Sequence, residues 1–348
     1  MGLKLVFILF SYLFLTQIVE GNSDSILQEF DCVDIYKQPA FQHPLLKNHK
    51  IQENFIFHEN HNTNNKYKEN DLSCPKGTVP IFKQKNGTGN FHQNTVEYSG
   101  QHFATIETIL DGSIYRGAEA MISVHNVTVQ NNQYSKSQIW LENGPRSELN
   151  SIQFGWAVHP RLYGDTLTRF TIYWTADGYK KTGCYNTNCP GFVVTCRDPT
   201  IGSYISRSTI YGDKTTVIIQ PQVFQDGFTG NWALKNFDEV IGYWPKELFP
   251  HLKQGASLVR YGGNTFTSPN GISPPMGNGH FPVVDFHRSS YFLHVKVRNS
   301  NYQLVDIKDK MARRYADSYQ CYRVSYWGYF KSNGVSFSFG GPGGSCGI

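Results

Sequence analysis

The chain has 348 residues and a formal net charge of +5, and charged residues make up 17% of the sequence. This small net charge, without any basic tract, argues against an electrostatic nucleic-acid binder and predicts no nucleic-acid partner. Aromatic residues make up 15% of the chain, which also contains 32 Gly and 16 Pro, and this composition favours an all-β protein with many turns.

The first 21 residues have the pattern of a secretory signal peptide. Lys4 gives a positive start, an apolar run extends from Leu5 to Leu15, and Val19 and Gly21 suit the positions before a cleavage site. The run is shorter than the ~20 residues of a membrane span, and no later segment is apolar for that long. We therefore expect a soluble, secreted protein with no membrane partner, located outside the cell, in the cell wall or in the vacuole. A buried helix is the alternative for this stretch.

Residues 22–97 differ in composition from the rest of the chain. They are rich in Asn, Lys, His and Glu, and the stretch 58–70 has almost no apolar residue, which predicts a disordered linker. The segment has too few apolar residues for a core of its own. We predict a removable propeptide, and the alternative is an accessory domain that stays attached.

Secretion makes the seven cysteines candidates for disulfide bonds rather than for metal binding. The predicted pairs are Cys32–Cys74, Cys184–Cys189 and Cys321–Cys346. Cys196 is left over, as a buried thiol or a spare half-cystine, and burial is favoured because free cysteines are among the most buried residues. In the same pathway the sequons at Asn86 and Asn126 predict N-glycosylation.

From about residue 98 onward, short strand patterns alternate with turn signals. Aromatic and β-branched residues alternate over Arg169–Thr175, and Asp177-Gly178 then supplies a turn. Tyr291–Val297 alternates in the same way and predicts a half-buried strand. The other strand candidates are 120–129, 137–141, 215–219, 257–261, 320–326 and 334–339. No helical pattern of comparable length occurs, so residues 98–348 are predicted to form one antiparallel β-sandwich or barrel.

Ordered motifs run through this domain. They include Ser137-Gln138-Ile139-Trp140, Gly155-Trp156, Tyr163-Gly164-Asp165, Tyr173-Trp174-Thr175, Gly183-Cys184-Tyr185-Asn186, Cys189-Pro190-Gly191-Phe192, Gly242-Tyr243-Trp244-Pro245 and Gly277-Asn278-Gly279-His280. With these motifs the chain resembles the neprosin-type glutamic peptidases, secreted plant endopeptidases that cleave after proline and are made as zymogens. Residues 31–52 and 74–81 resemble the family's activation peptide. The resemblance implies a β-sandwich whose concave sheet carries the active site, with a proline-rich peptide and the chain's own propeptide as partners.

The resemblance also implies a pair of catalytic glutamates, one just before the Gly-Trp motif and one just after a later Gly-Gly pair. In this chain those positions are Gln153 and Asn264. If the second glutamate belongs two residues before the Gly-Gly pair, its position is Arg260, which is no carboxylate either. An amide has no titratable proton near neutrality and cannot act as a general base. A related fungal class pairs a glutamine with its glutamate, a role that would suit Gln153 only with a carboxylate opposite.

Several glutamates lie near the motifs without occupying a catalytic position. They are predicted to be solvated surface charges: Glu142, Glu148, Glu239 and Glu247. The zinc motif HExxH and the serine motif Gly-x-Ser-x-Gly do not occur, so no metal and no cofactor are expected.

Aromatic residues of the motifs are predicted to line a peptide-binding groove, because stiff, extended proline segments pack well on aromatic surfaces. The candidates are Trp156, Tyr173, Trp174, Tyr243 and Trp244. The alternative for each tryptophan is the core of the sandwich.

Three hypotheses about function follow. The first is a secreted homologue of the glutamic peptidases that is catalytically impaired and keeps at most peptide binding. The second is an active acid endopeptidase that uses an unrecognised carboxylate. The third is an extracellular structural or interaction protein. Cleavage after proline at acid pH would identify the second, and peptide binding without turnover would separate the first from the third.

Overall fold

The structure is a computed structural model that describes residues 29–56, 73–83 and 99–347. The predicted signal peptide (1–21), the predicted linker (58–70) and the sequon at Asn86 therefore lie outside the described residues. Asn126 lies within them and is exposed. Its glycosylation stays a prediction.

Strands make up nearly all the regular structure of the described residues. They are β1 (Phe30–Asp34), β2 (Thr78–Phe82), β3 (Gln101–Thr108), β4 (Gly117–Ser123), β5 (Tyr134–Asn143), β6 (Asn150–Val158), β7 (Thr168–Thr175), β8 (Val193–Val194), β9 (Ile218–Ile219), β10 (Pro221–Gln225), β11 (Trp232–Asn236), β12 (Glu239–Trp244), β13 (Leu258–Phe266), β14 (Ile272–Ser273), β15 (Ser290–Arg298), β16 (Leu304–Asp306), β17 (Ala312–Ala316), β18 (Arg323–Phe330), β19 (Gly334–Gly340) and β20 (Gly344–Ser345). The α-helix is α1 (Pro160–Tyr163), and the 3₁₀ turns are Pro39–Gln42, Pro44–Leu46, Arg146–Glu148, Lys246–Leu248, Leu252–Gln254 and Asp309–Met311. Within the described ranges, no helix has the length and apolar character needed to cross a membrane.

Most strands belong to two sheets that pack face to face. The six-stranded sheet has the order β17-β3-β13-β5-β6-β7. The ten-stranded sheet has the order β18-β19-β15-β4-β10-β11-β12-β8, with β16 added beside β15 and β9 beside β4. All named strand pairs of the described residues are antiparallel. The predicted all-β, antiparallel sandwich is confirmed.

The pleat of β5 shows how the six-stranded sheet divides its side chains. Ile139 and Leu141 are fully buried in the core between the two sheets. Because successive side chains of a strand point to opposite faces, Lys136, Gln138 and Glu142 lie on the other face. We call the face that carries these three residues the pocket face.

The strand predicted over Tyr291–Val297 exists as part of β15, but its strict alternation is wrong. Its register against β4 shifts between Leu293 and Lys296, and His294 has a φ of 50°. This bulge changes the phase of the pleat, so that Phe292 and Val295 are both fully buried in the core.

Residues 29–56 and 73–83, which we call the N-terminal segment, contact both sheets. Its strands β1 and β2 pair antiparallel beside the disulfide Cys32–Cys74. Phe30 and Phe82 pack against the pocket face, and Phe55 packs against Phe224 on the outer face of the ten-stranded sheet. The segment therefore passes around the β7–β8 side of the sandwich.

Side-chain hydrogen bonds fix the second half of the N-terminal segment. The amide of Gln38 donates to Val194 O (3.1 Å) and accepts from Val194 N (2.7 Å), so it pairs with edge strand β8 as a neighbouring strand would. The hydroxyl of Tyr243 bonds His49 Nε2 (2.8 Å) and accepts from the backbone N–H of Gln52 (2.9 Å). The backbone N–H of Ile56 donates to Asp226 Oδ2 (2.9 Å).

The predicted disulfides Cys32–Cys74, Cys184–Cys189 and Cys321–Cys346 are all confirmed. The expected buried thiol is confirmed as well, because Cys196 is free and 8% exposed. Burial raises the pKa of the Cys196 thiol, which keeps it in its unreactive protonated form.

Candidate active site

Both predicted catalytic positions lie on the pocket face. Gln153 is on β6 and Asn264 is on β13, with β5 between the two strands. Asn264 is the register partner of Lys136, whereas Gln153 is the partner of Trp140, four residues further along β5. The two amides therefore lie diagonally across the sheet, 7% and 3% exposed respectively.

Side chains at both positions line the same pocket. Its lining residues are Gln101, Phe103, Tyr134, Lys136, Trp140, Glu142, Gln153, Tyr179, Arg260 and Asn264. The lining is mostly polar and comes from strands β3, β5, β6 and β13 together with the turn after β7. Sequence reasoning identified Gln153 and Asn264, and considered Arg260 only as an alternative position for the second.

The amide nitrogens at both positions are already engaged. Gln153 Nε2 donates to Tyr179 Oη (2.9 Å) and weakly to Ser151 Oγ (3.4 Å). Asn264 Nδ2 donates to His102 O (3.2 Å) and Gln101 Oε1 (3.3 Å). Neither group has a proton to exchange with a water molecule near neutrality, so neither can act as an acid or a base.

Between the two positions runs a row made of Gly262, Gln138 and Gly155, which are register partners on β13, β5 and β6. A Cβ on Gly155 would lie 2.2 Å from Ser137 O, and one on Gly262 would lie 2.2 Å from Ala104 O. Both have positive φ, so glycine is required at each position. Gln138 is therefore the only side chain in this row, and it is fully buried.

Lys136 is held in an aromatic cage. Its Nζ donates to Tyr185 Oη (2.5 Å) and lies 4.1 Å and 4.7 Å from the ring centroids of Tyr134 and Tyr185. Lys136 is 2% exposed. Burial lowers the pKa of its ammonium from the ordinary value to about 7.

Two carboxylates and two guanidinium groups form a charge cluster at the opposite end of the pocket. Arg260 Nε lies 2.9 Å from Glu142 Oε2, and Arg260 Nη1 lies 3.8 Å from Glu107 Oε1. Arg313 Nη2 contacts Glu107 Oε2 at 2.7 Å. Ser151 Oγ donates to Glu142 Oε1 (3.3 Å) and so connects this cluster to Gln153.

The prediction that Glu142 is a solvated surface charge is wrong. It is 3% exposed because β5 turns it toward the pocket rather than toward solvent. Burial raises the pKa of Glu142 and the charge of Arg260 opposes that shift. Glu148 and Glu247 are exposed as predicted, whereas Glu239 is half-buried, and burial together with Asp198 raises its pKa to about 7.

Most of the predicted aromatic groove is wrong. Trp156, Trp174 and Trp244 belong to the core between the sheets and are at most 1% exposed, because the pleats of β6, β7 and β12 point them inward between the two sheets. Tyr243 lies on the outer face of the ten-stranded sheet, under the N-terminal segment. Only Tyr173 is on the pocket face, where it is the register partner of Gln153 and stacks on Tyr179.

The N-terminal segment reaches the pocket face through a buried guanidinium. Arg169, with no exposed surface in its side chain, donates to both oxygens of Glu29 at 2.9 Å and to Asp165 Oδ2 at 2.7 Å. Phe82 packs beside it against Tyr163. The segment is thus anchored next to the pocket by one buried ion cluster and an aromatic contact.

Sequence reasoning missed Lys136, Gln138, Tyr179 and Tyr185 as site residues. A signal for the first two was present, because polar Lys136, Gln138 and Glu142 alternate with Ile139 and Leu141 in one strand. The other two come from the turn that β7 forms with the Cys184–Cys189 loop, and nothing in the local sequence indicates which way that turn folds. In the described ranges, no group of three or more His, Cys, Asp or Glu side chains is placed to hold a metal ion.

Comparison with known proteins gives both family matches and similar structures. The family model described as Neprosin matches residues 131–342, and that described as neprosin activation peptide matches residues 28–107. Crystal structures of scytalido-glutamic peptidase with a peptide-based transition-state analogue and with a transition-state analogue inhibitor have TM-scores of 0.39 and 0.38. Each is 13% identical and covers 70% of this chain and 98% of its own. Because the first family model spans more than half of the sequence, the chain belongs to the neprosin family and carries the family's activation peptide.

Proposed function

We propose that this chain is a secreted, zymogen-like member of the neprosin family in which peptide hydrolysis is impaired and peptide binding is retained. Family membership supports a peptidase-type function with an activation peptide. The observation that carries the proposal is the pair Gln153 and Asn264, two buried amides that line one pocket at the positions where the family is expected to have its glutamates.

The chemical argument concerns the water molecule that would attack the peptide bond. One ionised carboxylate must accept its proton, and a partner must stabilise the charge on the scissile carbonyl and protonate the leaving nitrogen. An amide can donate a hydrogen bond but cannot exchange a proton in this way. Loss of each acid–base group costs roughly 10²–10⁴ in rate, so loss of both leaves little turnover.

Glu142 favours a second candidate function, an active acid endopeptidase. It lines the same pocket as Gln153 and is joined to it through Ser151. Against this role, Arg260 lies 2.9 Å from its carboxylate and neutralises the charge that a general base would use. We therefore place this candidate second. An extracellular structural or interaction protein that makes no use of the pocket is the third.

The test is digestion of a proline-rich peptide between about pH 3 and 6, with mass detection of the products. The secreted chain would be assayed before and after a single cut introduced between β2 and β3. We expect no cleavage by the wild type and cleavage after proline by Gln153→Glu/Asn264→Glu. Robust cleavage by the wild type would overturn the proposal, and loss of that cleavage in Glu142→Gln would establish the second candidate.

The matched control makes the same two changes at the surface. Gln320 and Asn301 are both exposed and do not line the pocket, so Gln320→Glu/Asn301→Glu adds two carboxylates outside it and should stay inactive. Binding of the uncleaved peptide by the wild type separates the first candidate from the third.

Secretion, proline specificity and a cell-wall or vacuolar location form part of the proposal. Mass analysis of the mature N-terminus and of Asn126 tests the secretory route.

A further inference from the structure

Lys136 stands at the place where the family is expected to have acid–base chemistry. It is the register partner of Asn264, and both residues line the pocket. An ammonium placed next to a catalytic carboxylate would form an ion pair with it. In this chain the neighbouring position holds a neutral amide instead.

No carboxylate of the described residues lies within ion-pair distance of Lys136. The acidic groups of the pocket face are paired elsewhere, Glu107 and Glu142 with Arg260, and Glu29 with Arg169. The three N–H donors of Lys136 are met by one hydroxyl and two aromatic rings. A buried charge without a counter-ion is costly to a folded protein.

The described groups that surround Lys136 add no negative charge at neutral pH. Tyr134 and Tyr185 are neutral phenols, and burial raises the pKa of Tyr185 well above its ordinary value. Burial lowers the pKa of His159 far below its ordinary value, and the charges of Lys136 and Arg161 lower it further. The described residues at this end of the pocket therefore contribute positive charge, from Lys136 and Arg161.

A second polar group nearby also lacks a partner. Gln138 follows Lys136 by two residues on β5 and points to the same face, and its side chain is fully buried. Neither its Nε2 nor its Oε1 has a hydrogen-bond partner among the described residues. Buried polar groups without a partner are uncommon in native proteins and indicate a bound water or ligand.

We propose that the pocket binds a peptide carboxylate, with Lys136 as the counter-ion and the amide of Gln138 as a neighbouring donor. This inference rests on the proposed retention of peptide binding and adds the ligand class. In this pocket the replacement of a glutamate by Asn264 converts a site for acid–base chemistry into one that accepts an anion. The carboxylate belongs either to a peptide C-terminus or to an acidic side chain, and in both cases it would pair with the ammonium of Lys136.

The experiment measures binding of small probes to the full chain by calorimetry, before and after a single cut between β2 and β3. N-acetylproline and N-acetylproline amide differ only in the terminal carboxylate. N-acetylglutamate methylamide and N-acetylglutamine methylamide differ only in a side-chain carboxylate. We expect the acid of at least one pair to bind at least roughly tenfold more tightly than its amide, the factor that corresponds to a hydrogen bond to a charged group.

Lys136→Met should reduce the acid to the affinity of its amide and leave the amide unchanged. Lys180→Met, which removes an exposed lysine near the pocket, should leave both affinities unchanged. A preference for the acid that persists in Lys136→Met would overturn the role of Lys136. Equal binding of acid and amide by the wild type would overturn the inference alone, whereas no binding of any probe would overturn peptide binding as well.

A wild-type measurement covers the case in which Lys136→Met does not fold. If Lys136 is the counter-ion, binding of the acid near pH 8 takes up a proton, because the carboxylate favours the ammonium form. Calorimetry in two buffers of different ionisation enthalpy detects this uptake. Its absence would contradict the proposal.

Discussion

At the residue scale, Lys136 has the clearest energetic consequence. Burial lowers its pKa in the folded chain to about 7, whereas the unfolded chain holds the proton to about pH 10. Below pH 7 both states carry the proton and the folded state bears the full desolvation cost. Between these values the unfolded state binds more protons, so this group makes stability rise with pH.

We therefore predict that Lys136→Met unfolds at a higher temperature than the wild type at pH 6. Removal of a buried charge that has no counter-ion should stabilise the fold, on the scale of the roughly 1–4 kcal/mol gained when a buried ion pair is replaced by apolar side chains. The difference should shrink toward pH 10. Thermal unfolding followed by circular dichroism at both pH values measures it, with Lys180→Met as the control. A wild type more stable than the variant at pH 6 would show that Lys136 is compensated.

The residue scale is also where sequence reasoning failed most clearly. From its residue type, Glu142 was predicted to be a surface charge and Trp156 to line the groove, but both side chains are buried. Which face of the six-stranded sheet each side chain occupies depends on the register of β5 and β6. A shift of one residue would move every side chain of a strand to the opposite face. By contrast, Gln153 and Asn264 line the same pocket, and the prediction that paired them used the family motifs rather than the residue types.

At the element scale, the row of Gly262, Gln138 and Gly155 between the two amide positions requires glycine at its two ends. We predict that Gly155→Ala costs about 3 kcal/mol or more, because the new Cβ would collide with the backbone of β5 and the φ would be strained. Gly212→Ala is the matched control, with a φ of +81° and nothing within 4 Å of the new Cβ. It should cost only about 1–2 kcal/mol.

Denaturant unfolding of the two variants compares these costs. Equal losses of stability would mean that positive φ, rather than the close approach of β5 to β6, decides the requirement for glycine. A larger loss in Gly155→Ala supports the geometry described above.

The hydrogen bonds that attach the N-terminal segment to the outer face of the ten-stranded sheet give a further prediction. Tyr243→Phe removes the hydroxyl that joins His49 and Gln52 while the ring stays in place. Hydrogen exchange of residues 46–56 should become roughly tenfold faster, since one or two hydrogen bonds are worth about 1 kcal/mol each. Tyr329→Phe, at a tyrosine that is 64% exposed, should leave this exchange unchanged.

Strands were predictable where alternation was strong, as in β7 and β19, and the other candidates overlap β4, β5, β9, β13, β15 and β18. Strands β3 and β6 were missed. β3 and β6 place polar residues such as Thr105, Glu107 and Gln153 in buried positions on the pocket face, so their hydrophobic pattern is weak. The bulge at His294 could not be predicted either, because the residue types of β15 also fit a strand with regular alternation.

At the scale of the whole molecule, the cysteine pairs were predicted completely, because the positions of the cysteines along the chain left few alternatives. Cys32 and Cys74 are the only cysteines before residue 98, and Cys321 and Cys346 are the only ones after Cys196. We predict that the native chain shows no thiol reactive toward Ellman's reagent and that the denatured, unreduced chain shows one, Cys196. Burial and the raised pKa of this thiol both suppress its reaction. Two or more thiols after denaturation would mean that a disulfide has not formed.

The disulfide Cys32–Cys74 has a topological consequence for maturation. A cut anywhere between these two cysteines leaves both pieces covalently joined and still attached to the sandwich, so the chain would run as one band on a gel without reductant and as two with it. Release of the whole segment requires a cut after β2 and before β3. Scission and dissociation are thus separate events in this protein, and only the second uncovers the faces that the segment occupies.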